Sequence, residues 1–236
     1  MNKIKIMTYN LCWEALEGAI GNIDMTRCIV KKENKCLANI GIIINNKLEK
    51  NYDFICLQEI NEKQWKELSK NLSLDNYNVI KYEIFPAGVI TLYNKKYKLK
   101  KEIGGNLIDV KLDKRPFLIS IFDNISVINL HMPHIKQDIA FKLLKTNIKK
   151  LDNNYIICGD FNNTNPYKYL SKLVNIKKEP ILIKSCCDAN NEIYKLSYDH
   201  IFISSKAKYL KYGTLKKTEK TKYMSDHLPI FAKIII

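Results

Sequence analysis

Seven polar side chains stand where chemistry would need them: Asn10, Glu59, Asp160, Asn162, Asp199, Asp226 and His227. Each follows or flanks a short apolar run of strand character. A carboxylate placed at the end of a buried strand is costly unless it is paired or bound to a cation. Arginine, the usual partner of a buried carboxylate, occurs in this chain only as Arg27 and Arg115. Four carboxylates with two amides therefore point to a divalent cation, and an all-oxygen donor set points to Mg²⁺ or Mn²⁺ rather than zinc. Taken one at a time, Asn10 and Asn162 also suit turns, and Asp199 also suits a strand-end cap.

The elements that must hold these groups share a pattern of β-branched runs ending in polar residues. Lys3 to Tyr9 (KIKIMTY) alternates and ends at Asn10. Tyr52 to Leu57 (YDFICL) runs into Gln58-Glu59, Ser126 to Leu130 (SVINL) into His131, and Tyr155 to Cys158 (YIIC) into Gly159-Asp160-Phe161-Asn162. Gly88 to Tyr93, Phe117 to Phe122, Ile201 to Ser204 and Leu228 to Ile236 also read as strands. Helical spacing is found over Cys28 to Leu48, Glu62 to Leu72 and Asp138 to Leu151, with a shorter stretch at Tyr167 to Val174. Strands mixed with helices, several hairpin-like, predict an α/β or α+β fold with sheet packed on sheet and helices outside. Such a frame fixes polar groups at strand ends with precision.

The local sequences also carry a resemblance. TYN at Thr8–Asn10, LQE at Leu57–Glu59, LH at Leu130-His131, GDFN at Gly159–Asn162, YDHIF at Tyr198–Phe202 and SDHLP at Ser225–Pro229 resemble, in order, the signatures of the endonuclease/exonuclease/phosphatase superfamily, whose fold is that of pancreatic deoxyribonuclease. GDFN or SDH alone is a weak signal, whereas six motifs in order over nearly the whole chain are a strong one. The resemblance implies one catalytic domain over residues 1–236, built as a four-layered α/β sandwich with two packed mixed β-sheets flanked by helices. It implies Glu59 as the principal metal ligand, helped by Asn10 and Asp226. Asp160 would position or deprotonate the attacking water, and Asn162 would steady the phosphate or that aspartate. His227, oriented by Asp199, would contact the scissile phosphate. His131 would be a second phosphate-side histidine and a candidate proton donor to the leaving oxygen. These roles match what in-line attack on a phosphodiester requires: an activated water, neutralised non-bridging oxygens and help for the leaving oxygen.

Neighbouring residues are less specific. Arg115 sits where some relatives keep a phosphate-binding arginine, with a surface charge as the alternative. His134 reads as a solvated loop histidine, and Glu14 as an exposed loop acid. From Ser205 to Tyr223 lysines are interleaved with Tyr209, Tyr212 and Tyr223. Lys216, Lys217, Lys220 and Lys222 in that stretch are candidate contacts to a phosphate backbone, a solvated hairpin being the alternative.

Composition narrows the classes. The chain has 236 residues, 46% hydrophobic and 27% charged, with 8 Gly and 6 Pro, which suits a domain with a sizeable core and excludes collagen-like or disordered chains. No apolar run approaches the roughly 20 residues of a membrane span. The 7 cysteines contain no CxxC pair, which argues against zinc or a disulfide framework. The N-terminal residues read as a strand rather than a signal peptide, so an intracellular protein of cytoplasm or nucleus is expected. Net charge is +15, with lysine supplying all but two of the 39 basic side chains. A lysine excess suits salt-sensitive attraction to a polyanion more than base readout, although an A/T-rich genome also enriches Lys, Asn and Ile.

Within the superfamily, Leu11-Cys12-Trp13-Glu14 departs from the Gly-Leu-Arg element of apurinic-site endonucleases, and Asn163 and His200 depart from inositol phosphatases. Phe161 stands where tyrosyl-DNA phosphodiesterases usually have Thr. Ile157–Asn162 with Pro166 and Tyr169-Leu170 is similar to the deadenylase-like and generic bacterial branches. The expected activity is thus a Mg²⁺-dependent (or Mn²⁺-dependent) phosphodiesterase, a nuclease acting on DNA or RNA. The alternatives are a phosphoesterase of a small phosphorylated molecule or lipid headgroup, a tyrosyl-DNA phosphodiesterase-like repair enzyme, or a binding module on an inactive scaffold.

Overall fold

The structure is a computed structural model that describes residues 2–12, 34–83, 87–108, 115–149, 151, 154–186, 195–215 and 225–236. Glu14, Arg27, Cys28, Cys187, Lys216, Lys217, Lys220 and Lys222 lie outside these residues. Along the chain run β1 (Lys3–Asn10), α1 (Asn34–Glu49), β2 (Phe54–Ile60), α2 (Glu62–Ser69), β3 (Tyr77–Tyr82), β4 (Gly88–Asn94), β5 (Leu99–Asn106) and β6 (Pro116–Phe122). Then come β7 (Ile125–His131), α3 (Gln137–Ile148), β8 (Asn154–Asp160), α4 (Tyr167–Leu170), β9 (Ile176–Lys177), β10 (Asp199–Ser204), β11 (Lys208–Thr214) and β12 (Ile230–Ile235).

The strands form two six-stranded sheets, ordered β11-β12-β1-β2-β4-β3 and β5-β6-β7-β8-β10-β9. Each sheet is mixed: β1 runs parallel to β2, and β7 parallel to β8, while their other neighbours are antiparallel. Three apolar layers follow from strand alternation. Between the sheets lie Ile4, Ile6, Phe54, Cys56, Val127, Ile156, Cys158, Ile201 and Ile203. The other face of the first sheet, including Met7, Tyr9, Ile55 and Leu57, packs on Ile40, Ile44, Trp65 and Leu68 of α1 and α2. The other face of the second, including Ile128, Leu130, Ile157 and Phe202, packs on Phe141, Leu144 and Leu170 of α3 and α4. This is the expected four-layered sandwich.

The same period of two places the polar groups. Continuing the inward series of β1 from Ile4 and Ile6 leads to Thr8 and Asn10, and that of β8 from Ile156 and Cys158 leads to Asp160. In β7, Val127 leads to Asn129 and His131, and in β10 the inward Ile201 is preceded by Asp199. Parallel and antiparallel registers then set His131 opposite Asp160 and Asp160 opposite Asp199. Beneath them a buried amide pair ties the sheets together. Gln58 Nε2 donates to Asn129 Oδ1 (2.7 Å) and Thr8 Oγ1 (2.9 Å), and Asn129 Nδ2 donates to Ile90 O (2.9 Å). Such bonds across an otherwise apolar core fix the lateral offset of the two sheets.

Cys12, Cys56 and Cys158 are free and buried, where they act as small apolar fillers. Cys186 is disulfide-bonded, against the expectation that disulfides play no part, since pairing depends on spatial placement that spacing along the chain does not reveal.

Candidate active site

Three backbone irregularities aim the reacting groups. A β-bulge between Gln58 and Ile60 puts Glu59 at φ 51°, turning its side chain out of the strand's alternation. Gly159, at φ 144°, precedes Asp160, and a Cβ there would collide with the Leu130 carbonyl. Asn162 adopts φ 46°, a conformation Asn tolerates, and its backbone N–H turns back to Asp160 Oδ1 at 2.8 Å.

Around these, the side chains from separate motifs meet. Asn10 Nδ2 bridges the carboxylates, donating to Glu59 Oε1 (2.9 Å) and Asp160 Oδ2 (2.8 Å), while its Oδ1 accepts from Cys12 N–H. His227 Nδ1 lies 2.7 Å from Asp199 Oδ2, which also accepts from Ser185 Oγ at 2.7 Å. The other imidazole nitrogen, Nε2, is 3.8 Å from Asp160 Oδ2, 3.9 Å from Asp226 Oδ1 and 3.2 Å from Cys186 Sγ. Ser225 Oγ donates to Asn10 O (2.6 Å) and accepts from His227 N–H, which ties the Ser225–His227 segment to the end of β1. On the far side, His131 Nε2 is 3.2 Å from Glu59 Oε1 and accepts from Arg115 Nη1. Arg115 thus belongs to the cluster, and with an Arg donor on it this nitrogen of His131 carries no proton to give. Asn162 Nδ2 is held by Met132 O (2.8 Å), so the residue orients Asp160 through its backbone.

The electrostatics are those of acids crowded in a buried place. Burial pushes the Glu59 carboxyl up to about 7, against the Asn10 hydrogen bond and with help from Asp226. Burial likewise raises Asp160 to about 6, opposed by His227 and reinforced by Asp199. For His227, burial alone would favour the neutral ring, but Asp199, Asp226 and Asp160 together hold it well above the ordinary histidine range. His131 goes the other way, lowered by burial and by the nearby Arg115 and His227 charges. Asp160 and Asp199 are 1% exposed, whereas the Glu59 side chain keeps 19%, so the acidic cluster opens to solvent at Glu59.

This donor set fits a divalent cation. Glu59 and Asp160 place carboxylate oxygens within 4.8 Å of one another, with Asp226 beside them, while His131 of the same group has its Nε2 engaged by Arg115. Carboxylates held close enough to raise each other's proton affinity are relieved by a hard dication. A second grouping, Cys186 with Asp226 and His227, contains a disulfide sulfur and so offers no thiolate.

A family model described as the Endonuclease/Exonuclease/phosphatase family matches residues 7–227. The chain belongs to that family. No curated protein matches it in sequence. Among solved structures, an endonuclease/exonuclease/phosphatase from Bacteroides vulgatus is similar at TM-score 0.80 and 14% identity, over 100% of both chains. TDP2 from D. rerio, complexed with a single-strand DNA product, superposes at TM-score 0.73 with 15% identity over 100% of both chains. A mannosyl-6-phosphatase from Bacteroides thetaiotaomicron does so at 0.72 with 16% identity, covering 99% of this chain and 100% of that one. At such identities the likeness is one of fold. The chain is therefore a phosphoesterase-family sandwich with a cluster of acids and histidines at one edge.

Several groups at this edge escape sequence reading. Ser185 orients Asp199, and Gln137 Nε2 holds the carbonyls of Phe161 and Asn162 (both 3.0 Å). Neither has a motif to announce it, whereas Ser225 could have been found from its place in SDHLP. Phe161, the departure from the tyrosyl-DNA phosphodiesterase pattern, is fully buried against His200 and Phe202 on the helix side of its sheet. The residue type at that position therefore bears on packing rather than on substrate contact. His134 is exposed as expected, with its ring edge-on to Tyr198 at 6.5 Å.

Proposed function

We propose that this protein is a Mg²⁺-dependent phosphodiesterase that hydrolyses nucleic acid, with Mn²⁺ an acceptable substitute. The observation that carries the chemistry is the convergence of Asp160, the Asp199–His227 pair and Glu59 on one buried edge. Asp160, with one oxygen fixed by Asn162 N–H and the other by Asn10, takes the proton of an attacking water. His227 keeps its charge through Asp199 and Asp226 and donates from Nε2 to a phosphate oxygen as negative charge accumulates. Arg115 supplies a second, permanently charged donor on the opposite side and orients His131. Glu59 and Asp226 would hold the metal, and Asn10 positions the Glu59 and Asp160 carboxylates. When bound, the metal neutralises charge on the phosphate and polarises it toward attack.

Three features favour nucleic acid: the +15 net charge, the His134–Tyr198 ring pair beside the site, and the DNA-bound neighbour of the same fold. Lys216, Lys217, Lys220 and Lys222 are proposed as backbone contacts from their sequence alone. A second reading, a phosphatase of a small phosphorylated molecule, is favoured by the sugar-phosphatase neighbour. Rates on oligonucleotides and on mannose 6-phosphate over a salt series separate the two. The nuclease reading expects oligonucleotide cleavage that falls steeply with salt and negligible sugar-phosphate turnover. Efficient, salt-insensitive release of phosphate from the sugar would replace it.

A further inference from the structure

A buried histidine–glutamate pair stands behind the site, on the opposite face of its strand from Asp199. His200 follows Asp199 in β10 and so points to the helix side, where its ring stacks on Phe202 (5.5 Å, 11°) and meets Phe161 edge-on (5.6 Å, 81°). Nδ1 is 3.0 Å from Glu179 Oε1, and both side chains are 1% exposed. Nε2 is 2.9 Å from Ser197 O and 3.1 Å from Asn163 O. Each ring nitrogen therefore faces acceptors only: a carboxylate on one side and two carbonyls on the other. Glu179 Oε2 is buried and has no hydrogen-bond partner among the described residues. A buried polar pair with an unmatched oxygen is poor stabilisation, because apolar residues of the same volume would fill the place at least as well.

Its position gives it another use. The β8–β10 ladder pairs Asp160 with Asp199 and Gly159 with His200. Past the end of the ladder, Phe161 N–H reaches Tyr198 O (2.8 Å), and there the two chains part. His200 Nε2 spans that parting: Ser197 lies two residues before Asp199, and Asn163 three residues after Asp160. We propose that Glu179 and His200 are positioning residues, a brace that sets the Asp160 turn against the Asp199 strand and so fixes where the water-activating carboxylate meets His227. Glu179 fixes the ring, and Nε2 holds the two carbonyls. The inference rests on the proposed roles of Asp160 and His227 and extends them to a pair that touches no substrate.

The test uses three substitutions in the full-length chain, with bis(p-nitrophenyl) phosphate and Mg²⁺ as probes. His200→Gln keeps a donor near the Nε2 position, His200→Asn keeps one only near Nδ1, and His200→Phe keeps the aromatic volume alone. The brace predicts kcat in the order wild type, Gln, then Asn and Phe together, with the last two down by about 10- to 100-fold. KM and the Mg²⁺ concentration for half-maximal rate stay unchanged, and kcat does not follow Tm. Equal kcat in Gln and Asn, or losses that track Tm across the set, would overturn it. Hydrogen exchange at the Phe161 amide supplies a readout independent of turnover: protection is lost in His200→Asn and kept in His200→Gln. An inactive wild type would count against the proposed function, while uniform Phe161 protection would count against the brace. Should His200→Phe fail to fold, Glu179→Gln takes its place, predicted to lower kcat and Phe161 protection together.

Discussion

At the residue scale the site holds acids that burial keeps from ionising freely, a cost that a bound cation would relieve. Glu59 and Asp160 have carboxyls raised to about 7 and about 6, above ordinary values of 4.5 and 3.8, with burial the leading cause for each. A raised acid contributes stability that is complete below its ordinary value and is lost as pH climbs through its folded value. The metal-free protein should therefore lose stability between about pH 4 and about pH 7 on account of these two groups. Mg²⁺ restores it by replacing the proton, so the Mg²⁺-induced rise in Tm should be larger at about pH 8 than at about pH 5. A Tm increment that does not depend on pH would remove Glu59 from the metal site and uncouple Asp160 from it. Replacing Asp160 or His227 by Ala should lower kcat by about 10²- to 10⁴-fold without unfolding the chain. Circular dichroism beside a rate measurement checks both halves of that statement.

At the element scale, the interior of each sheet was legible and its margins were not. The eight strands expected from sequence correspond to β1, β2, β4, β6, β7, β8, β10 and β12, and these fill the inner positions of both sheets. The other four, β3, β5, β9 and β11, are the edges. Two of them, LKKEIGGN in β5 and KYLKYGT in β11, carry exposed lysines and are interrupted by Gly. Charged, broken patterns keep an edge from pairing with another chain, and they erase the alternation by which a strand is recognised. Helix ends were also overrun: α2 stops at Ser69 rather than Leu72, and α4 at Leu170 rather than Val174. The chemistry was readable because it sits on the inner strands or directly beside their ends. What orients it, at Ser185 and Gln137, comes from a loop and a helix start that no local pattern marks, and the proposed brace joins a loop glutamate to His200, whose motif does not reveal its partner. Gly159 is a sharp element-scale test. Gly159→Ala meets both an unfavourable φ, worth about 1–3 kcal/mol, and the Leu130 carbonyl. It should destabilise the protein and misplace Asp160, as seen by lower Tm and lower kcat together. Phe161→Ala, by contrast, should cost about 3–5 kcal/mol of stability through the helix-side core while leaving the choice among substrates unchanged. A shift in substrate preference at constant stability would place Phe161 in the substrate path instead.

At the scale of the whole molecule, charge and architecture bear on different questions. The sandwich brings motifs far apart in sequence to one edge, and no helix among the described residues is long and apolar enough to cross a membrane. The +15 excess, nearly all lysine, governs encounter and affinity rather than fold. Neutralising Lys216, Lys217, Lys220 and Lys222 should reduce the salt slope of nucleic-acid binding by about 0.9 for each duplex phosphate that is no longer neutralised, as read by fluorescence anisotropy over a salt series. An unchanged slope would return that stretch to a solvated hairpin. The most direct measurement is Mg²⁺-dependent cleavage of labelled single- and double-stranded DNA and RNA at low salt, wild type beside Asp160→Asn. The account predicts cleavage of at least one of these by the wild type, abolished by EDTA and by the substitution. Cleavage that survives in Asp160→Asn, or a folded, Mg²⁺-binding wild type that cuts none of the four, would contradict it.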